Sequence, residues 1–270
     1  MPRLRHYVGP DWPLDPATYA YVLNLCRSDL AWEYLRRNPE YQRDYRLFRR
    51  GADRPRRLGS GQYLTRLRRR SPRCELWGLD PLVDPTCPAP LAPLCWTIGE
   101  ATPVLDGVAE RATGHEPAAL SIESYNSARH IVIGPTGEEY VLLRDAERAA
   151  ILRLEGSRAS LGAVNVTFLV RDLPDPHLLA QRFRNLRRLV AAPRSHVRPS
   201  RTRLFHRDAL IALDARLLGL SQSEIAVLLH GADAVRSSWS RSSGSIRERI
   251  RHLLARGQKL RDGAYRELLG

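Results

Sequence analysis

Two hundred and seventy residues exceed what one typical domain needs and suit two or three small ones. The chain is 43% hydrophobic, which excludes wholesale disorder, and its 43 basic against 29 acidic residues give a formal net charge of +14. No window approaches the ~18–20 continuous apolar residues that a membrane span needs. Of the basic residues, 42 are arginine and one is Lys259. Arginine suits phosphate and guanine edges because its planar fork donates paired hydrogen bonds. A GC-rich genome produces the same bias, so the positive sum is informative and the choice of arginine is not. The start, Met-Pro-Arg-Leu-Arg-His, has charge but no apolar stretch behind it, so a cytoplasmic protein without a signal peptide is expected. Cys26, Cys74, Cys87 and Cys95 form no disulfide framework, which fits a reducing compartment.

Charge divides the chain into a basic, an acidic and a basic stretch: net +9 over residues 1–75, −7 over 76–175 and +12 over 176–270. The two ends can meet polyanions; the middle would repel them. The first stretch is patterned as helices. Asp15-Pro16 is an N-cap followed by a proline at the first helical position, opening a helix to about Cys26. Ser28 or Asp29 caps a second, Leu30–Arg37, and Asn38-Pro39 starts a third carrying Tyr41, Tyr45 and Phe48 at i, i+4 and i+7. Nine of the 19 aromatic residues lie in the first 50 positions. Base stacking is a conceivable use, but helical spacing favours an aromatic core. Residues 49–73, rich in arginine (Arg54, Arg56, Arg57, Arg66, Arg68, Arg69, Arg70 and Arg73), form either a solvated linker or a phosphate-tracking arm.

The middle stretch is patterned as strands. Pro81–Pro103 is proline-rich and irregular. His130–Ile133, Gly134-Pro-Thr-Gly137 and Glu138–Leu143 form a hairpin, and Ala150–Leu154 and Val164–Val170 continue it, the last with the alternation of a half-buried strand. Pro176–Ala191 is a helix and Pro193–Ser200 a linker.

The last seventy residues are the most specific. Phe205–Leu217 is an amphipathic helix with Leu210, Leu213 and Leu217 on its buried face, stopped by Gly219. Ser221 and Glu224 form a capping box for a short helix containing Ile225, Ala226, Leu228 and Leu229. A small helix around Asp233–Trp239 leads to a further helix, Ile246–Arg256, ended by Gly257, with Ile246, Ile250, Leu253 and Leu254 as its apolar stripe. A helix, a glycine turn and a capped helix open a helix-turn-helix; about a dozen residues before the final helix make it a variant. The hydroxylated start of that helix lets backbone amides approach a phosphate, and side chains one turn further in can reach base edges. Arg241, Ser242, Ser243, Ser245, Arg247, Glu248 and Arg251 are therefore the candidate groove residues, with Arg249 and Arg256 placed to hold phosphates.

Arg207–Leu269 resembles a bacterial C-terminal domain family, long labelled only as of unknown function and now taken as a variant helix-turn-helix of transcriptional regulators. The shared features are Leu220–Ala226, Trp239, the arginine-studded helix ending Leu253-Leu254-Ala-Arg-Gly257, and Gly263-Ala-Tyr265-Arg. The N-terminus resembles that family's companion, a proteobacterial transcriptional regulator-like domain, at Asp11-Trp12, Tyr19-Ala-Tyr21 and Ala31–Tyr41. Chains of this arrangement resemble activators of excision and transfer genes on integrative conjugative elements, and a transcription factor of type VI secretion genes. The resemblance implies sequence-specific binding of double-stranded DNA and gene activation. Some relatives with only the C-terminal domain act as antiactivators, so a protein-interaction module without DNA binding is the alternative.

An α+β protein is expected: a helical domain over 1–75, a small antiparallel β-rich domain over 76–192, and an all-α variant helix-turn-helix over 200–270. A single reading helix covers few base pairs, so a homo-oligomer is expected, with RNA polymerase a possible further partner. No cofactor is expected. The cysteines lack the Cys-x2–4-Cys pair that opens most zinc sites, and neither a phosphate-binding loop nor a dinucleotide fingerprint is present. His252, Arg256 and Tyr265 have the residue types of a tyrosine recombinase, but Tyr265 follows Arg256 by nine residues, too close for that chemistry. Tyr265 is better placed as a packing residue, and an enzyme is not expected.

Overall fold

The structure, a computed structural model, describes residues 14–48, 55–69, 73–99, 101–113, 119–125, 128–170, 175–191, 199–238 and 246–270. Asp15 caps the first element through a 2.8 Å bond from the Ala17 amide, but Pro16–Asn24 winds as a 3-10 helix. Helix α1 (Arg27–Leu35) starts at Cys26 rather than at Ser28 or Asp29. The Asp29 carboxylate is committed elsewhere, to Arg144 at 2.8 Å. Asn38 does open α2 (Pro39–Phe48), accepting from the Glu40 and Tyr41 amides. The aromatic residues of this region form a core: Tyr19, Trp32, Tyr34 and Tyr41 are each at most 1% exposed. Tyr41 meets Trp32 and Trp77 edge-on at 5.5 and 5.4 Å. Phe48, on the same stripe, remains exposed.

The arginine-rich stretch divides after residue 54. Residues 49–54 and 70–72 lie outside the described residues, but β1 (Arg56–Arg57) and β2 (Tyr63–Arg66) join the sheet, so this part is neither linker nor free arm. Its arginines stand exposed while Thr65 and Leu67 are buried. After α3 (Arg73–Trp77), the proline-rich segment is irregular yet interior, burying Leu82, Val83, Ala89, Leu94 and Trp96. The sheet is completed by β3 (Val104–Arg111), β4 (Ala128–Ile133), β5 (Glu139–Arg144), β6 (Ala149–Gly156) and β7 (Val164–Leu169), in the order β1-β2-β4-β5-β6-β3-β7. It is mostly antiparallel; β2 beside β4 and β3 beside β6 are parallel. The β4–β5 hairpin forms at Gly134–Gly137 as its sequence predicts. The sequence pattern had not suggested β3. Gly107 interrupts its apolar run, and the reason is space: a Cβ there would lie 2.7 Å from Val166 Cγ1.

Alternation along the strands gives the sheet two apolar faces. Ile131, Ile133, Val141, Leu143 and Leu152 face α4 (Pro176–Ala191) and its Leu186 and Leu189. Val132, Leu142 and Ile151 face Leu67 and Cys95 on the other side. Arg144 leaves this second face to bond Asp29 and the carbonyls of Ala89 and Ala92, which ties the sheet to the helical body. The sheet therefore lies between α4 and the other long helices.

The remaining helices are α5 (Arg201–Leu217), α6 (Gln222–His230), α7 (Ala232–Ser238) and α8 (Ile246–Arg261), followed by a 3-10 turn over Ala264–Leu268. Two differences from the sequence pattern share one cause. Helix α5 is not amphipathic: every residue from Asp208 to Ala215 is buried, whereas Leu217 is 58% exposed. It lies between two cores, touching Tyr19, Tyr34 and Trp96's cluster through Leu210, Ile211 and Leu213. Its Ala209, Ala212 and Ala215 meet α6, α7 and α8. Gly257 likewise does not end α8, which runs on to Arg261. A Cβ at 257 would come within 3.0 Å of Leu213 Cγ, so this glycine permits a close crossing of α5 and α8.

Candidate nucleic-acid interface

The turn between α5 and α6 is built by local chemistry. Gly219 has a φ of +89°, and the Leu220 amide reaches back to the Ala215 carbonyl (3.0 Å) while the Gly219 amide reaches Arg216 (3.1 Å), a Schellman closure. Ser221 and Glu224 then form the expected capping box, with Ser221 N donating to Glu224 Oε2 at 2.7 Å. Gly231, with a φ of +83°, ends α6. The small helix expected around Asp233 is α7. Ile225, Ala226, Val235, Ile250, Leu253 and Leu254 close the core against the α5 alanines.

This packing fixes which face of α8 is free. Arg247, Glu248, Arg249, Arg251 and His252 are exposed over its first two turns. Trp239, Arg241, Ser242, Ser243 and Ser245 lie outside the described residues. The structure also shows which of these cations are balanced. Arg251 pairs with Glu248 one turn away, and Arg249 reaches Asp208 of α5 at 3.4 Å. Arg256 bonds Glu267 at 2.8 Å, and Lys259 shares that carboxylate at 3.3 Å. The two arginines assigned to phosphates thus hold intramolecular carboxylates in the unbound protein. Among the described residues, Arg247 makes no ion pair. Sequence spacing could have found the Glu248–Arg251 pair, which is i, i+3, but not Asp208 or Glu267, which arrive by packing.

Buried charge holds the frame that presents α8. Arg37 donates from Nε and a terminal nitrogen to Asp214 of α5, at 2.8 and 2.7 Å, and to Glu33 at 2.7 Å. The Tyr19 hydroxyl donates to the same Asp214 at 2.7 Å. Burial alone would raise the Glu33 carboxyl, but Arg36 and Arg37 outweigh it and hold it at about 2. His206 of α5 sits 2.9 Å from the Tyr34 hydroxyl; burial, aided by the nearby Arg256 charge, lowers its pKa to about 4 and keeps the ring neutral. The helices expected at the two ends of the chain are therefore locked to each other through charge as well as apolar contact.

The other chemistry weighed from sequence leads elsewhere. Burial pushes the thiols of Cys26, Cys87 and Cys95 up to about 12. Among the described residues, no three His, Cys, Asp or Glu side chains are grouped to hold a metal, and no helix is long and apolar enough to cross a membrane. Tyr265 is buried, donates to the Trp77 carbonyl at 3.0 Å, and is the packing residue that its position predicts.

Comparison with known proteins agrees with the C-terminal geometry and with the N-terminal motifs. Residues 171–270 match the family described as the DNA-binding domain of a type VI secretion system transcription factor. Residues 11–80 match the proteobacterial transcriptional regulator-like domain. No curated protein matches the chain. The class defined by these matches is a DNA-binding transcription regulator. More particularly, the chain pairs a match to the proteobacterial regulator-like domain with a match to the DNA-binding domain of a type VI secretion factor, the pairing its motifs suggest.

Proposed function

We propose that this protein is a non-enzymatic, sequence-specific transcriptional activator of transfer or secretion genes, acting in the cytoplasm and carried in some cases on mobile elements. The start of α8 enters the major groove of double-stranded DNA. Arg247, Glu248 and Arg251 approach base edges, and Arg241, Ser242, Ser243 and Ser245 remain candidates for the same role by their place in the sequence. Arg249 and Arg256 exchange Asp208 and Glu267 for backbone phosphates. The observation that carries this reading is that the DNA-binding match spans the helices whose packing leaves this charged face of α8 open. The small reading surface calls for a homo-oligomer on repeated half-sites, and activation calls for contact with RNA polymerase.

Gel-shift titration on DNA upstream of this gene and its neighbours, against shuffled competitor at two salt concentrations, tests the reading. Specific complexes with a steep loss of affinity in salt are expected. Arg247→Ala and Arg251→Ala should each weaken operator binding by ~1–3 kcal/mol and relax one base position. Wild-type affinity in both variants would remove α8 as the reading helix. The acidic partners already seated on Arg249, Arg251 and Arg256 favour a second reading, in which α8 is a protein-interaction surface like that of an antiactivator. Absence of any retarded complex, with a protein partner captured by the same face, would establish it.

A further inference from the structure

The cations of α8 are largely balanced by carboxylates, but Arg184, Arg187 and Arg188 of α4 are not. Helix α4 is amphipathic: Phe183, Leu186, Leu189 and Val190 pack toward the sheet, and the half-buried Leu179 begins their stripe at i, i+4, i+7 and i+11. Phe183 packs edge-on against Phe168 of β7 at 5.1 Å. The opposite stripe, His177, Gln181, Arg184 and Arg188 at the same spacing with Arg187 beside them, is exposed. The helix contains four arginines and no acidic residue. Arg184, Arg187 and Arg188 form no ion pair with any described residue.

Helix stability does not account for this arrangement. The macrodipole favours cations within the last turn, which holds Arg188 alone. Arg184 and Arg187 lie further in and repel their neighbours at i+3 and i+4. Nor is the stripe made to dock a protein, because apart from Pro176, Ala180 and Ala191 no apolar side chain lies exposed along it to form a dry centre. Three unneutralised guanidinium groups within about 6 Å of helix axis suit the closely spaced oxygens of a polyanion backbone.

We infer that α4 is a phosphate-tracking surface for duplex DNA, separate from the reading helix. This rests on the DNA-binding role proposed above and extends it. The DNA-binding family match begins at residue 171 and so includes α4, although α4 packs chiefly on β5 and β6 of the sheet. Since the sheet stands between α4 and the helical body, the phosphates held by Arg184, Arg187 and Arg188 lie outside the site read by α8. They add affinity on any sequence.

The test uses the full-length chain with Arg184, Arg187 and Arg188 all changed to Gln, and a companion with all three changed to Lys. Affinity is titrated across salt on an operator fragment and on a random-sequence duplex, with hydroxyl-radical footprints of the operator complex. The Gln variant should show a log–log salt slope shallower by about two to three, since each lost phosphate contact removes ~0.9. Its affinity should fall by the same factor on both duplexes, and the operator footprint should lose its flank while its centre remains. The Lys variant, with charge intact, should keep the wild-type slope. A wild-type slope in the Gln variant overturns the inference while leaving the activator reading in place. Equal loss in the Gln and Lys variants, or an unchanged slope with a smaller mass by light scattering, also overturns it, by making the stripe structural or a contact between copies. Failure of the wild-type protein to bind either duplex removes the DNA-binding reading itself.

Discussion

The arginines of the helical body and those of α8 belong to the same residue type and do opposite things. Arg36, Arg37 and Arg144 are buried, and each is matched to a buried carboxylate: Glu33, Asp214 and Asp29. Arg251 and Lys259 are more than half exposed and pair with the exposed carboxylates of Glu248 and Glu267, whereas the equally exposed Arg249 reaches the buried Asp208, which Arg207 also holds. A buried cation that loses its partner is left with a large desolvation cost, whereas a surface pair can exchange its carboxylate for water or phosphate at little cost. Exposure, not composition, therefore separates the arginines that hold the fold from those free to meet a ligand.

The sharpest way to break this comparison is Asp214→Ala. It removes the acceptor of Arg37 and of the Tyr19 hydroxyl, joining residues from opposite ends of the chain. A loss of about 3–5 kcal/mol is expected, read as a lower denaturant midpoint. A change below about 1 kcal/mol would mean that Glu33 alone suffices for Arg37.

His206 gives a smaller, pH-dependent effect. Its folded pKa of about 4 lies below the ordinary value of 6.5, so the folded state resists protonation more than the unfolded chain does. Its contribution is fully present above pH 6.5 and is lost as pH falls from 6.5 to about 4, at up to about 1.4 kcal/mol per unit. In His206→Gln, which can still bond the Tyr34 hydroxyl, stability between those limits should depend less on pH. Identical pH profiles for the two proteins would mean that the ring protonates freely in the folded state.

The smallest effect is expected at the surface. Glu248→Ala removes the partner of Arg251 at a position where both side chains are more than half exposed. Stability should move by less than about 0.5 kcal/mol. DNA affinity should change by a separable amount, because the freed Arg251 lies on the proposed groove face. A stability loss as large as that of Asp214→Ala would erase the distinction between the two sets of arginines.

Much of the local structure was legible in the residues. The Asp15 and Asn38 caps, the β4–β5 hairpin, the full length of α4 and the Ser221–Glu224 capping box all follow from interactions within a few positions. The α+β class and the paired regulator motifs were legible for the same reason. The candidate reading face was legible only as a list of exposed positions on α8. The charge stripe of α4 has a sequence signal too, four arginines and no acid in sixteen residues, but its meaning depends on which side the sheet covers.

What the amino-acid order determined by itself was each element whose cause is near in sequence: caps, turns, periodicity and charge blocks. What tertiary structure decided was every feature whose cause is a distant neighbour. Asp29 does not cap α1 because Arg144, 115 residues away, claims its carboxylate, while the Ser28 hydroxyl meets Cys26 Sγ. Helix α5 is buried all round from Asp208 to Ala215 because chain from both ends closes over it, and the glycine at 257 serves a close crossing with Leu213 of α5 and not a helix end. Local hydrogen bonding is written in adjacent residues; burial and charge pairing depend on which surfaces meet once the chain has closed.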